Sequence, residues 1–376
     1  MIVEHQEGLK VPKDRKLPKL FRKPGLHWPP TRKQQIIGGV VIVVLVFGLG
    51  ASWTLLHHRR TVDATPKKSV VKKTTPPQPI YSTLTGLPVT DASVNQRTVT
   101  GVMIENSIDA RPQSGLGEAG VVFEAVAEGG VTRFLALFQD TAPDNVGPIR
   151  SARPYYVSWD MGFDAAYAHV GGSPDGLADI TSWGTKDMNQ FYNSGSYHRT
   201  SDRVAPHNVY TSISTLNQLE AAKGFTSSYT GFTRAKKDAP VAAPNATSID
   251  FHLSGFTYDP HYDYVAASNS YNRSEAGAAH VDANTGNQIS PKVVIAMEVS
   301  LAQGALDSSG AYYSDYTTVG SGTAYIFQNG TEITGTWSKA SNNAQITFTD
   351  AAGQPIPLNP GQTWISAVTA GGVSYK

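Results

Sequence analysis

The chain has 376 residues, no cysteine and a formal net charge of +1. That near-neutral total conceals a split: fifteen of the 31 Lys/Arg and four of the 30 acids lie before residue 83, leaving 16 basic and 26 acidic residues in 83–376, a net of −10. A globular part that acidic lacks the basic surface that neutralises phosphates, so nucleic-acid binding is excluded, and the missing thiols exclude disulfides, thiolate catalysis and Cys-ligated zinc.

Residues 1–35 form a basic tail with nine Lys/Arg against three acids. Residues 36–56 (IIGGVVIVVLVFGLGASWTLL) then run for 21 positions without a charge. At 1.5 Å per helical residue such a stretch spans roughly 30 Å, the thickness of a bilayer's hydrocarbon core. It has no polar stripe, and Trp53 follows Ala51-Ser52 where a small-residue cleavage site would stand, so the pattern predicts an uncleaved signal anchor. Lys/Arg is denser on the N-terminal side, which predicts a cytoplasmic N-terminus and extracytoplasmic main domains. Residues 57–83 are rich in Thr, Pro and Lys and read as an extended linker.

From 84 to 223 strand-like runs (Val99–Glu105, Val121–Ala127, Thr132–Gln139, Ala165–Val170) interleave with helices expected from Pro154, Pro174 and near Ser212. The alternation predicts an α/β or α+β N-terminal ectodomain. Residues 224–248 read as a second linker, and 249–376 as a mostly β domain of short runs: Asp250–Tyr258, Val293–Val299, Ala324–Phe327, Gln345–Phe348 and Trp364–Val368. Asn329-Gly330 between two such runs is a strong hairpin signal, because a type I′ turn needs positive φ at both positions.

Residues 115–120 match GxGxxG, but a Pro-containing loop precedes and a strand follows, so this is a turn and not a dinucleotide site. More telling is a strong preference for arginine over lysine across 84–223. The planar guanidinium fork suits two-bond capture of carboxylate or phosphate. Arg111, Arg133, Arg150, Arg153 and Arg203 are therefore candidate anion ligands, with Ser151 between two of them. The alternative is that they clamp the domain's own Glu105, Glu124 and Glu128. Gly171-Gly172-Ser173 after a strand and before a helix adds backbone N–H donors. Asp175 replaces the last glycine of a nucleophile elbow, so an N-cap role is the default for Ser173. His169 and His207 are further candidates, although no two histidines stand at metal-ligand spacing.

The runs VMIENSIDARPQSGLGEAGVVFEAVAEGGVTRFLALF, GPIRSARPYYVSWDMGFDAAYAHVGGSP and APHNVY resemble the N-terminal domain of the YerB-like family, a domain of unknown function. Tyr271-Asn272-Arg273, His280-Val281-Asp282, Gly335-Thr336-Trp337 and Pro360-Gly361-Gln362-Thr363-Trp364 are similar to that family's C-terminal domain. The resemblance implies an exported, membrane-tethered protein, typically held by a lipidated cysteine, from which this chain departs. It implies no catalytic residues. In layout the chain also resembles the LytR-CpsA-Psr phosphotransferases, which hold a polyprenyl pyrophosphate with arginines.

Together these expectations describe a membrane-anchored cell-envelope protein binding an anionic envelope ligand through its arginines. The alternatives are a phosphotransferase acting on lipid-linked wall polymers, the one case that would call for Mg²⁺, and a non-enzymatic structural adaptor. Partners expected are the membrane and a wall polymer, a lipid-linked precursor or another protein.

Overall fold

The structure, a computed structural model, describes residues 78–376. The expected basic tail, the span at 36–56 and most of the first linker lie outside the described residues, among which no helix is long and apolar enough to cross a membrane.

The described chain is mostly β. Ten strands make the main sheet: β1 Thr100–Glu105, β2 Val121–Val126, β3 Thr132–Phe138, β4 Ala166–Ala168 and β5 Lys186–Asp187 from the first half, then β10 Val293–Glu298, β11 Gly320–Gln328, β12 Thr331–Lys339, β13 Thr347–Thr349 and β14 Thr363–Val368. A second sheet of five contains β6 Ser248–Phe251, β7 Pro260–Val265, β8 Ser270–Glu275, β9 Ala278–Ala279 and β15 Val373–Tyr375. Three short α-helices accompany them: α1 Pro154–Met161, α2 Pro174–Ser182 and α3 Ile213–Lys223.

The order of the main sheet is β13-β12-β11-β10-β14-β2-β3-β1-β4-β5. Strands from the two halves of the sequence therefore share one sheet. The seam is β14, which runs parallel to β10 on one side (Ile295 opposite Ile365) and to β2 on the other (Thr363 opposite Val121, Ser366 opposite Glu124).

Period-two alternation decides the two faces. In β2, Val121, Phe123 and Ala125 enter one core with Tyr155, Tyr156 and Trp159 of α1, while Val122 enters the other with Trp364, Tyr262 and Tyr271. Both faces are covered, which is why β2, β3 and β14 are buried along their whole length.

A buried ion pair joins the halves across the second core. Arg273 of β8 donates to Glu124 of β2 at 2.7 Å, and neither side chain is exposed. Trp364 Nε1 and Ser366 Oγ donate to the other Glu124 oxygen, and the guanidinium lies 4.7 Å from the Trp364 ring centroid. Burial opposes charge on Arg273, but Glu124 and Glu275 outweigh it and hold the guanidinium above its ordinary range.

Sequence signals account for the local structure. Pro174 opens α2, and Ser173 Oγ accepts from Gly176 N at 3.2 Å as its N-cap. Ser212 caps α3 in the same way, and Gly224 ends it in the left-handed region at φ 69°. Asn329 and Gly330 turn the β11–β12 hairpin with φ 59° and 77°. Two expected strands are shorter than their runs suggest: Ala165–Val170, which is a strand only over Ala166–Ala168, and Asp250–Tyr258. Asp250–Tyr258 is extended only to Phe251, because Asp259 Oδ1 accepts from the N–H groups of Leu253, Ser254 and Gly255 and folds them into a turn.

Candidate functional site

Seven strands, β1, β2, β4, β5, β10, β12 and β14, point the same way, so their carboxyl ends meet at one edge of the sheet. Loops at the carboxyl ends of parallel strands are where mixed α/β sheets ordinarily hold ligands. Most of the arginines singled out from the sequence gather at this edge.

Glu105 ends β1 opposite Arg133, the second residue of β3. Glu128, in the turn between β2 and β3, is gripped by the guanidinium groups of both Arg133 and Arg153. Arg153 Nε reaches the same carboxylate at 3.0 Å and the Arg153 guanidinium stacks 5.0 Å from the ring centroid of Tyr313. Burial disfavours charge on Glu128, yet the two arginines together hold its carboxyl below the usual range. Arg133 also donates to Ser151 O at 3.3 Å, which is how Ser151 takes part.

Arg150 is held differently. The segment carrying it slots between β1 and β4: Arg150 N donates to Met103 O and Val170 N donates to Arg150 O. Its Nε lies 3.3 Å from Glu105 Oε1. That Nε is buried and makes no hydrogen bond at this distance; neither terminal nitrogen is hydrogen-bonded to the described residues, and the side chain keeps 24% of its exposure. Burial, and after it the nearby Arg133 and Arg153, lower its pKa against the pull of Glu105 and Glu128. His207 Nδ1 sits 3.0 Å from Glu105 Oε2, and Ser107 Oγ donates to Glu105 Oε1 at 2.9 Å. The cluster therefore holds three guanidinium groups against two carboxylates, with the surplus donors on Arg150.

Arg111 and Arg203 stand on the adjoining loops. Arg111 pairs with Glu275 at 3.3 Å, donates to Asn106 and Thr257 and lies over Tyr258. Arg203 donates to the carbonyls of Asp109 and Pro112 and ties the 106–112 loop to its own. His169, Gly172 and Ser173 lie on the other side, beyond β4. His169 is fully buried between Gly171 O and Asp187, Gly172 bridges to Ala152, and Ser173 is occupied as a helix cap.

The edge thus unites Arg133, Arg150, Ser151, Arg153 and His207 around Glu105 and Glu128. The carboxylates were legible as possible clamps, whereas Tyr313 and the hairpin carrying it were not, since nothing local ties residue 313 to residue 153. Among the described residues no group of three or more His, Asp or Glu side chains is arranged as metal ligands.

A mostly β protein whose halves share one sheet, with an arginine–glutamate network at its carboxyl edge, is the class these features define. The chain belongs to the YerB-like family: the model described as "Protein of unknown function (DUF3048) N-terminal domain" matches residues 84–226, and the corresponding C-terminal domain matches 249–365. YerB of Bacillus subtilis (strain 168), whose name describes it as a lipoprotein, is 34% identical over 291 residues, covering 76% of this chain and 85% of that protein. The crystal structure of YerB from Bacillus subtilis superposes with a TM-score of 0.70 at 30% identity, covering 79% of this chain and 99% of that one.

Proposed function

We propose that this chain is an exported, membrane-anchored envelope protein that holds a carboxylate- or phosphate-bearing group at the carboxyl edge of its main sheet, with Arg150 as the binding cation. The anchoring part draws on the lipoprotein name of its Bacillus relative and on the apolar segment 36–56. The binding part rests on one observation: Arg150 keeps two terminal nitrogens without an acceptor among the described residues, in a cluster that carries one more guanidinium than carboxylate.

Arg111, Arg133 and Arg153 then act as clamps. Each is bound to a carboxylate of the protein itself, and a guanidinium so occupied has little left for a ligand. Their service is positional, because a fixed dipole and charge pattern around Arg150 lets an anion bind without reorganising the site.

The same clamping favours a second reading, a structural adaptor with no small ligand. Thermal unfolding separates the two. Inorganic phosphate, pyrophosphate and a carboxylated sugar are each added, with and without Mg²⁺, to the wild-type protein and to Arg150→Ala. An anion at a hundred times its Kd stabilises by about 2.7 kcal/mol. A rise in midpoint that the Arg150→Ala variant lacks supports anion binding. No rise with any anion supports the adaptor, and a rise that needs Mg²⁺ would point to the phosphotransferase alternative.

A further inference from the structure

At the same edge of the sheet, after β5, the chain builds a turn that buries Asn189 and leaves its aromatic side chains exposed. Phe191 and Tyr192 follow β5 and are 67% and 83% exposed, among the most exposed large apolar side chains of the described residues. The turn beneath them is tightly determined. Asn189, itself buried, accepts through Oδ1 from Gly171 N and Phe191 N at 3.2 Å each, and its carbonyl accepts from Tyr192 N and Asn193 N at 3.1 Å. Asp187 Oδ1 takes Asn189 N at 2.7 Å and faces His169 Nε2 at 2.9 Å. The Asp187 carboxyl is lowered: burial opposes this, and the bonds from His169 and Asn189 outweigh it. Gly171 stands at φ 57°, and a Cβ there would come within 3.0 Å of the Phe191 ring.

Burying an imidazole and an amide costs stability unless every polar atom is satisfied. Here both nitrogens of His169 and the side-chain oxygen of Asn189 are satisfied by holding an exposed turn, although Gln190 Oε1 in that turn is buried without a partner. An exposed aromatic pair on a rigid support is a feature of binding surfaces, where flat apolar faces are offered with little conformational entropy to lose. Gly171 links it to the candidate site, since Gly171 O accepts from Ala152 N, two residues from Arg150.

The aromatic pair and the entry of the described chain stand at opposite edges of the main sheet. The described chain enters at the opposite edge, where Thr85 O accepts from Gly361 N and Leu84 packs on Gly120, ahead of β14 and β2. Six-residue strands separate the two edges by about 20 Å.

We propose that Phe191 and Tyr192 form a sugar-stacking platform at the same edge as Arg150, so that the ligand is an acidic glycan: a pyranose ring lays its C–H face on the aromatic pair while a carboxylate or phosphate on the same or the next residue reaches Arg150. This rests on the anion-binding reading above and specifies its substrate class. His169 serves as a positioning residue for the turn.

The test measures binding by the full-length chain in detergent, using calorimetry with three probes: a glucuronate-containing oligosaccharide, a neutral oligosaccharide of equal length, and inorganic pyrophosphate. Phe191→Ala/Tyr192→Ala and Arg150→Ala are compared with wild type. Both aromatic side chains are exposed, so the first variant keeps its fold, checked by an unchanged unfolding midpoint. The expected result is that the acidic oligosaccharide binds and that each variant weakens it at least tenfold, while pyrophosphate depends on Arg150 alone. If the acidic oligosaccharide and pyrophosphate both need Arg150 but are indifferent to the aromatic pair, the platform is refuted and the anion site stands. If no probe depends on Arg150, the anion-binding reading itself fails. Equal binding of the neutral oligosaccharide would overturn the acidic class.

Discussion

Replacing Glu124 by Gln removes the charge that faces Arg273 and leaves that guanidinium with Glu275 at 3.5 Å as its remaining carboxylate. Both partners are fully buried, so no water can take over. Uncovering one member of such a pair costs about 3–5 kcal/mol. For a domain of this size that lowers the midpoint by roughly 6–10 °C, taking about 2 °C per kcal/mol. Arg273→Met should cost a similar amount, since it strands Glu124 instead. The double variant Glu124→Leu/Arg273→Met is the informative one. It removes both charges together, leaves Glu275 with Arg111 at 3.3 Å, and forfeits the bonds from Trp364 and Ser366, at about 1 kcal/mol each. Its loss should therefore fall well short of the sum of the singles. Urea unfolding of residues 78–376, followed by tryptophan fluorescence, measures all four corners of the cycle. Additive losses, or single variants costing under about 1 kcal/mol, would refute the assignment of this pair as the tie between the halves.

Further outcomes follow from individual side chains. Arg153→Ala, which strands half of Glu128's partners and empties the space against Tyr313, should destabilise by about 2–4 kcal/mol. Arg150→Ala takes the guanidinium from buried Glu105 but leaves it Ser107 and His207, and should cost about 1–2 kcal/mol, less than Arg153→Ala; equal losses in the two variants would contradict the division into clamp and binding cation. Glu220 on α3 accepts from Thr100 Oγ1 at 2.6 Å, and burial raises its carboxyl to about 7. The folded state thus keeps a proton that the unfolded chain releases above the ordinary 4.5, so stability is full below that value and falls until about pH 7. Each pH unit between those two values is worth roughly 1.4 kcal/mol. Glu220→Gln keeps an acceptor for Thr100 and should therefore gain up to about 3 kcal/mol at pH 8 and little at pH 4; a pH-independent difference would disprove the titration. Asp160 on α1 is buried with both oxygens unpartnered, and burial pushes its carboxyl well up. Asp160→Asn should likewise stabilise more at pH 8 than at pH 4 in the same unfolding series.

Much of the local structure could be read from the sequence, because it depends on near neighbours. The strand runs at 121–126 and 132–138, the starts of α1, α2 and α3, and the Asn329-Gly330 hairpin all follow from alternation, capping and turn chemistry within a few residues. The insertion of β14 between β10 and β2 could not be read, because parallel pairing over some 240 positions leaves no local trace. Nor could it be read that one sheet draws strands from both segments. At the site the sequence singled out the right residue type but not its allocation. Which arginine is spent on a carboxylate and which is left open depends on where Glu105, Glu128 and Glu275 fall in three dimensions. The Phe191-Tyr192 pair carries no such signal, because two adjacent aromatics before a polar turn look like ordinary core, and only their exposure marks them.

The most direct test of the central claim is a crystal structure of residues 78–376 grown with selenate, whose anomalous signal locates the anion without ambiguity. The account predicts a selenate within hydrogen-bonding distance of the terminal nitrogens of Arg150, with Arg133 and Arg153 still on Glu128. Selenate absent from that edge, with the Arg150 guanidinium closed by a carboxylate of the protein itself, would contradict it and leave the arginines as clamps alone.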